Sequence, residues 1–319
     1  MSFQTHNKPR ETTPRGPVLK RALTLLRTGL TLLAIAWITS YFFEHRTEIL
    51  QATSKFDAGI LLAAMGVVLV GLLPGAWAWQ RVLTLTLPEV TSPRGILVYL
   101  CSSIGKYTPG GALAFAIQHR FLRDDGARPM LLLQVFVGTA MAACLAAALL
   151  GLPAIFAFVG IEMNLLWMSA GLGLAALILA LVSAMNRWPL FPVTIARIGI
   201  PAPAPFIQTV LLMIGAWALT GTHLVVLGTG LDASALFLIS AYAFSAIAGI
   251  VFAILPGAFG VRDGVLLMIL AARLDPADAI ILSLLSRVLI ITGDVIGSAL
   301  ARLALHWSHP KPQIERTFS

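Results

Sequence analysis

Charge is what this sequence has least of. Only 11% of its 319 residues are charged, where an ordinary soluble domain carries about 25%. That shortage excludes a chain whose whole exterior faces water. Cysteine is nearly absent as well: Cys101 and Cys144 both sit in apolar sequence, without the close spacing of zinc or redox motifs, and read as free, buried thiols. Catalytic signatures are missing, with no GxSxG, HExxH or GxxxxGK[ST] pattern, so no enzyme, metal site or cofactor is expected. The net charge of +8 does not indicate nucleic acid, because the basic residues are dispersed and no basic patch alternates with aromatics.

What is there instead is apolar sequence, 58% of the chain, with a mean hydropathy of +0.88. Apolar stretches of about 20 residues, enough to cross about 30 Å of hydrocarbon, recur at 22 to 43, 58 to 79, 130 to 150, 164 to 185, 206 to 229 and 279 to 301. An all-α, polytopic integral membrane protein is expected. A basic tail at 1–21 precedes one membrane domain at 22–303, and a second tail follows at 304–319. The first apolar run ends in bulky Tyr41, Phe42 and Phe43 rather than a small-residue cleavage site, so it reads as a retained signal anchor.

Two further apolar regions are broken. Residues 96 to 117 contain Lys106, Tyr107, Thr108, Pro109, Gly110 and Gly111; residues 235 to 272 contain Pro256, Gly257, Gly260, Arg262, Asp263 and Gly264. Proline removes a backbone donor and glycine tolerates conformations other residues avoid, so each cluster should interrupt a helix. Interrupted backbone survives at membrane depth only inside protein or against a wet cavity, the setting of re-entrant hairpins.

Charge counting favours two returning hairpins. With both broken regions returning and the N-terminus cytoplasmic, sixteen of the 22 Lys and Arg fall inside, three (Arg46, Lys55, Arg273) outside and three (Lys106, Arg262, Arg287) within apolar sequence. The expectation is about six crossings plus two re-entrant hairpins, with both termini cytoplasmic; a simple eight-crossing count is the alternative. The pattern also repeats. Pro109 and Pro256 are 147 positions apart, the span starts at 58 and 206 are 148 apart, and those at 130 and 279 are 149 apart. Repeats of about 22–150 and 164–301, beginning on opposite sides, would follow the inverted plan of many secondary transporters.

In that plan helix breaks point at a central site, where Lys106 and Arg262 would face a substrate. The blander readings are a lysine snorkelling to head groups and a short surface loop. Arg287 and Asp294 lie seven residues apart, within about 20° of the same helix face, and would form a charge network with Arg262 and Asp263, leaving Lys106 unpaired. His223 reads as a packed or hydrogen-bonded interior histidine, and His119 with Arg120 as the cytoplasmic mouth of the first hairpin. Small residues four apart at Ser245 and Gly249, Gly260 and Gly264, and Gly293 and Gly297 permit close helix contacts.

The run Lys106 to Gly111 followed by Arg120, and the run Pro256 to Gly264 followed by Arg287 and Asp294, resemble the lysylphosphatidylglycerol synthase transmembrane family, the flippase-like domain family, over about residues 20 to 303. The resemblance implies a prokaryotic plasma-membrane protein that moves a phospholipid or polyprenyl-phosphate-linked lipid between leaflets. It implies head-group contacts from Lys106, Tyr107, Pro109, Gly110, Gly111, Arg120, Pro256, Gly257, Gly260 and Arg262, with Asp263, Arg287 and Asp294 as the charge network. Family members more usually carry Glu where this chain has Asp263. Their aminoacyl-transfer domain has no counterpart in the short tails, so synthase activity is not expected. The expected partners are anionic or phosphate-bearing membrane lipids, with a second copy of the chain or a membrane enzyme as a further one. The rival readings are a small-solute transporter and a non-transporting accessory subunit of a lipid or glycan biosynthetic enzyme.

Overall fold

Long apolar helices and short broken ones alternate through the computed structural model, which describes residues 46–47, 56–108, 111–160, 203–251 and 258–308. The described residues contain no strand. The elements are α1 (Ala58–Thr84), α2 (Ser92–Ser102), a 3-10 turn (Ser103–Tyr107), α3 (Ala112–Leu122), α4 (Pro129–Val159), α5 (Pro203–Leu227), α6 (Ala235–Val251), α7 (Ala258–Leu270) and α8 (Pro276–Ser308). The expected spans at 22 to 43 and 164 to 185, the tail at 1–21, and Pro109, Gly110, Pro256 and Gly257 lie outside the described residues.

Helix α1, most of α5, α4 and α8 are long and apolar enough to cross a membrane. At 1.5 Å per residue the 27 residues of α1 extend about 40 Å and the 33 of α8 about 50 Å, more than the hydrocarbon thickness. Their outward faces carry large apolar side chains in mid-helix, such as Leu211 at 61% exposure and Val288 at 58%. Three of these helices run past their expected ends, α1 by five residues to Thr84. Helix α4 continues nine residues past 150, through Pro153, until Gly160 ends it in the left-handed conformation. Helix α8 runs to Ser308, into the stretch expected to be tail.

By contrast α2 and α3, with 11 residues each, extend only about 16 Å. They form an antiparallel hairpin. Arg94 near the start of α2 donates to the Phe121 carbonyl near the end of α3 (3.1 Å), and Gln118 donates to the Ser102 hydroxyl (2.9 Å). At the tip, a side chain added at Gly105 would fall 2.2 Å from the Ala114 backbone nitrogen, so the two limbs touch there. Gly111, at φ 63°, turns the chain into α3. Helices α6 and α7 pack on each other, and α7 turns back along α8.

Small residues set the close crossings. Gly71 and Gly75 of α1 face Thr220 and Ala216 of α5; a Cβ on Gly71 would lie 2.4 Å from the Thr220 hydroxyl oxygen. Gly293 and Gly297 of α8 meet Val68 and Leu72 of α1, as their spacing predicts. The other two expected pairs do not bring helix backbones together: Gly249 faces the Arg262 side chain, and Gly264 has open space around it.

Besides a cluster of Ala78, Ala142, Phe206, Val210 and Met213 among α1, α4 and α5, apolar packing gathers at two opposite ends. One cluster joins Leu83, Leu122, Leu132 and Leu305; the other joins Phe237, Leu227, Leu270 and Ala279. The ionisable residues sort with them. Arg81, Arg94, Arg120, Arg123, Arg128 and Arg302, with Glu89, Asp124 and Asp125, belong to the first end, whereas Asp57, Asp232, Asp275 and Asp278 with Arg273 belong to the second. The first hairpin opens toward the basic end. Helices α6 and α7 join their neighbours at the acidic end.

Candidate functional site

Three elements deliver ionisable groups to the interior. The tip of the first hairpin brings Lys106 and Tyr107, α7 brings Arg262 and Asp263 in its first two turns, and mid-α8 brings Arg287 and Asp294.

The first hairpin is fastened to α8 along its length. The Ser298 hydroxyl donates to the Cys101 carbonyl (2.7 Å), and the Ser103 hydroxyl to the Asp294 carbonyl (3.3 Å). These bonds hold the 3-10 turn over Asp294. The break itself is bridged by Thr108, whose hydroxyl donates to the Gly105 carbonyl (2.7 Å) and accepts from the Leu113 amide (3.1 Å). One side chain thereby satisfies backbone groups on both sides of the interruption.

Asp294 has no exposed surface. Its Oδ2 lies 2.6 Å from the Lys106 ammonium and also accepts from the Tyr107 hydroxyl, while Oδ1 has no hydrogen-bond partner among the described residues. The Lys106 side chain is 48% exposed, so the pair has one buried member and one accessible member. Arg287 stands two turns earlier on α8, near the same face. It lies 3.6 Å from Asp263 and 5.6 Å from the Tyr107 ring centroid.

This pairing corrects the expected one. Lys106, read from the sequence as the unpaired cation, has a carboxylate. Arg262 is the cation with no carboxylate within ion-pair distance among the described residues; its guanidinium lies 4.7 Å from the ring centroid of Tyr242. The reason is geometric. Arg262 and Asp263 are consecutive on a helix and point about 100° apart, so adjacency in sequence does not make them partners. Among the described residues, three interior cations face two carboxylates, and the cluster carries one net positive charge.

Tyr242 is the residue that sequence reasoning missed. It is almost wholly buried on α6, with Arg262 on one side and the edge of His223 on the other, 5.0 Å between ring centroids. His223 in turn is hydrogen-bonded to the Ser286 hydroxyl (2.8 Å) and to the Thr220 carbonyl, as a satisfied interior histidine would be. The available signal was scarcity: the chain has four tyrosines, and Tyr107 and Tyr242 each flank a broken segment.

The remaining candidates are placed differently. Gly111 lies at the hairpin tip and Gly260, at φ 99°, in the first turn of α7. Arg120 is exposed near the end of α3, about 12 Å of helix rise from its start, beside the Arg94 and Asp125 ion pair (2.9 Å) at the open end of the hairpin. It does not join the interior cluster. Among the described residues no group of three or more His, Cys, Asp or Glu is placed to hold a metal ion.

No protein-family model and no curated protein sequence matches the chain.

Proposed function

We propose that this protein spans the plasma membrane and transports a phospholipid or polyprenyl-phosphate-linked lipid between leaflets, with the phosphate held by Arg262 and Lys106. The observation that carries the reading is the surplus cation. Ionisable side chains at membrane depth are costly, about 2.5–3.5 kcal/mol at a helix centre on insertion scales, and persist where a partner compensates them. Arg262 has an aromatic face but no carboxylate among the described residues, and Lys106 is the accessible half of its pair. A phosphate would give Arg262 the anionic partner it lacks among the described residues.

In this reading the basic end is cytoplasmic and the acidic end external, in accord with the bias of Lys and Arg toward the inside. The two broken segments are re-entrant hairpins from opposite sides, and the repeats about 22–150 and 164–301 are inverted copies of one another. Arg120, exposed at the cytoplasmic mouth, attracts anionic lipid electrostatically. The resemblance of the two motifs to the flippase-like family points the same way.

The test is leaflet exchange of labelled phosphatidylglycerol in reconstituted liposomes, followed by dithionite quenching of the outer leaflet. Wild type should exchange the lipid faster than empty liposomes, and Arg262→Gln should slow exchange at unchanged protein stability. Equal exchange in empty, wild-type and variant liposomes would reject transport and favour the accessory-subunit reading, in which the pairs Lys106 with Asp294 and Arg287 with Asp263 only hold the fold.

A further inference from the structure

The site has two ways of balancing Lys106. In the structure its ammonium neutralises Asp294. A phosphodiester arriving at Lys106 and Arg262 competes for that ammonium, because Lys106 is the reachable member of the pair and Asp294 has no exposed surface of its own. When Lys106 turns to the ligand, Asp294 loses the ion-pair partner it has among the described residues. A buried carboxylate without a countercharge is strongly disfavoured, and neutralisation by a proton is the usual outcome.

The other groups around Asp294 cannot take over. From the 3-10 turn, Tyr107 donates a single hydrogen bond to the same oxygen as Lys106, and Ser103 bonds the backbone carbonyl rather than the carboxylate. From α2, Tyr99 is within electrostatic reach of Asp294, and from α6, Tyr242 is as well; both are neutral phenols. From α7, Arg262 is committed to the ligand and Asp263 adds only negative charge. On α8 itself, Arg287 is engaged with Asp263. Helix α1 meets this part of α8 through Met65, Val68 and Leu72, which carry no charge. The Oδ1 atom of Asp294 is buried and accepts no hydrogen bond among the described residues, so a carboxyl proton there would displace no existing bond.

We propose that binding of a phosphodiester anion at Lys106 and Arg262 draws one proton onto Asp294, so that the site takes up the anion and a proton together. This rests on the reading of the interior cluster as an anion site. In the exchange, the Lys106 hydrogen bond to Oδ2 gives way to one to a phosphate oxygen, Lys106 keeps its own proton, and a proton taken up from bulk solvent adds to the Oδ1 atom. No bond of the ligand breaks. The net gain of the site is one negative and one positive charge, so loading leaves the interior with the same net charge as before. A proton gradient could then drive the anion.

The experiment is calorimetric titration of the full chain in detergent with dihexanoyl phosphatidylglycerol, in two buffers of different ionisation enthalpy, which yields the number of protons taken up per ligand. Dimethyl phosphate, the same phosphodiester without acyl chains, forms the second arm and separates a lipid head group from a free phosphate. For wild type the expected result is uptake approaching one proton. By linkage, Kd should then weaken as pH rises, by up to about tenfold per pH unit, while the phosphodiester keeps its single charge. Asp294→Asn should bind with no uptake and a Kd that does not change with pH, and Lys106→Gln should lose the uptake while binding more weakly. His223→Asn should leave the proton count unchanged. Ligand binding by wild type with no proton uptake and a flat Kd overturns the coupling and leaves the anion site standing, as does uptake that persists in Asp294→Asn. No binding of either ligand by wild type at any pH overturns the anion site and the coupling with it. Should Asp294→Asn fail to fold, the wild-type proton count and the Lys106→Gln variant decide.

Discussion

Lys106, at the tip of the first hairpin, and Asp294, in the middle of α8, form a 2.6 Å ion pair in which one side chain is 48% exposed and the other has no exposed surface. The pair ties a short, interrupted element to the longest helix. Its two members are unequal in what they leave behind when removed, and the first prediction follows from that inequality.

Removing Lys106 strands a buried carboxylate, whereas removing Asp294 leaves an ammonium that water or head groups can reach. Breaking a fully buried pair from one side costs about 3–5 kcal/mol, an upper bound here because Asp294 can take up a proton instead. Lys106→Met should therefore lower the thermal midpoint in detergent more than Asp294→Asn, and the double variant should recover most of the loss. A larger drop for Asp294→Asn would contradict the pairing.

Tyr242 should act through its ring. A cation over an aromatic face contributes about 0.5–2 kcal/mol, equivalent to about twofold to thirtyfold in a binding constant. Tyr242→Phe keeps the face and should hold anion affinity near wild type. Tyr242→Leu removes it and should weaken affinity within that range, measured beside thermal stability because the side chain is also almost wholly buried. Equal affinity in the Phe and Leu variants would show that the contact between Arg262 and the ring contributes nothing to binding.

Gly71 should tolerate no side chain. A Cβ there would lie 2.4 Å from the Thr220 hydroxyl oxygen and 2.9 Å from its backbone, so α1 and α5 must separate, at about 1–3 kcal/mol for overpacking of this kind. Gly264→Ala meets nothing within 4 Å and gains up to about 1 kcal/mol in helix propensity. Thermal unfolding of the two variants should therefore move in opposite directions.

Cysteines placed at Ser92 and Gly126, with Cys101 and Cys144 replaced, should both be labelled by an impermeant maleimide from one side of the membrane, and a cysteine at Asp232 from the other. The 2.9 Å contact of Arg94 with Asp125 brings the two hairpin ends together. Labelling of Ser92 and Gly126 from opposite faces would mean that residues 96 to 117 cross rather than return.

The helical architecture was legible in the sequence because the signals are local. Long apolar runs mark α1, α4, α5 and α8, and among the described residues Gly111 marks the interruption before α3, since a left-handed residue acts on its own turn. Ionisable residues in apolar sequence were equally visible, and Lys106, Arg262, Asp263, Arg287 and Asp294 do converge on one region. The helix ends were less so: Pro153 is carried inside α4, where tertiary packing outweighs a local break.

The pairing within the site was decided by tertiary structure alone. Periodicity puts Arg287 and Asp294 on one face of α8, but seven residues separate them by about 10 Å of rise, too far for contact, and Arg262 and Asp263 diverge by about 100°. Each carboxylate therefore finds its cation on another element, Lys106 for Asp294 and Arg287 for Asp263. Which element that is depends on the depth of the hairpin tip, set by the hydrogen bonds of Ser103 and Ser298 and by the contact of Gly105 with Ala114. The sequence by itself determined that charges would lie inside this protein. Only the fold decided that Arg262 would be the one left facing an aromatic ring, because a hairpin reaching α8 from the basic end had already brought Lys106 to Asp294.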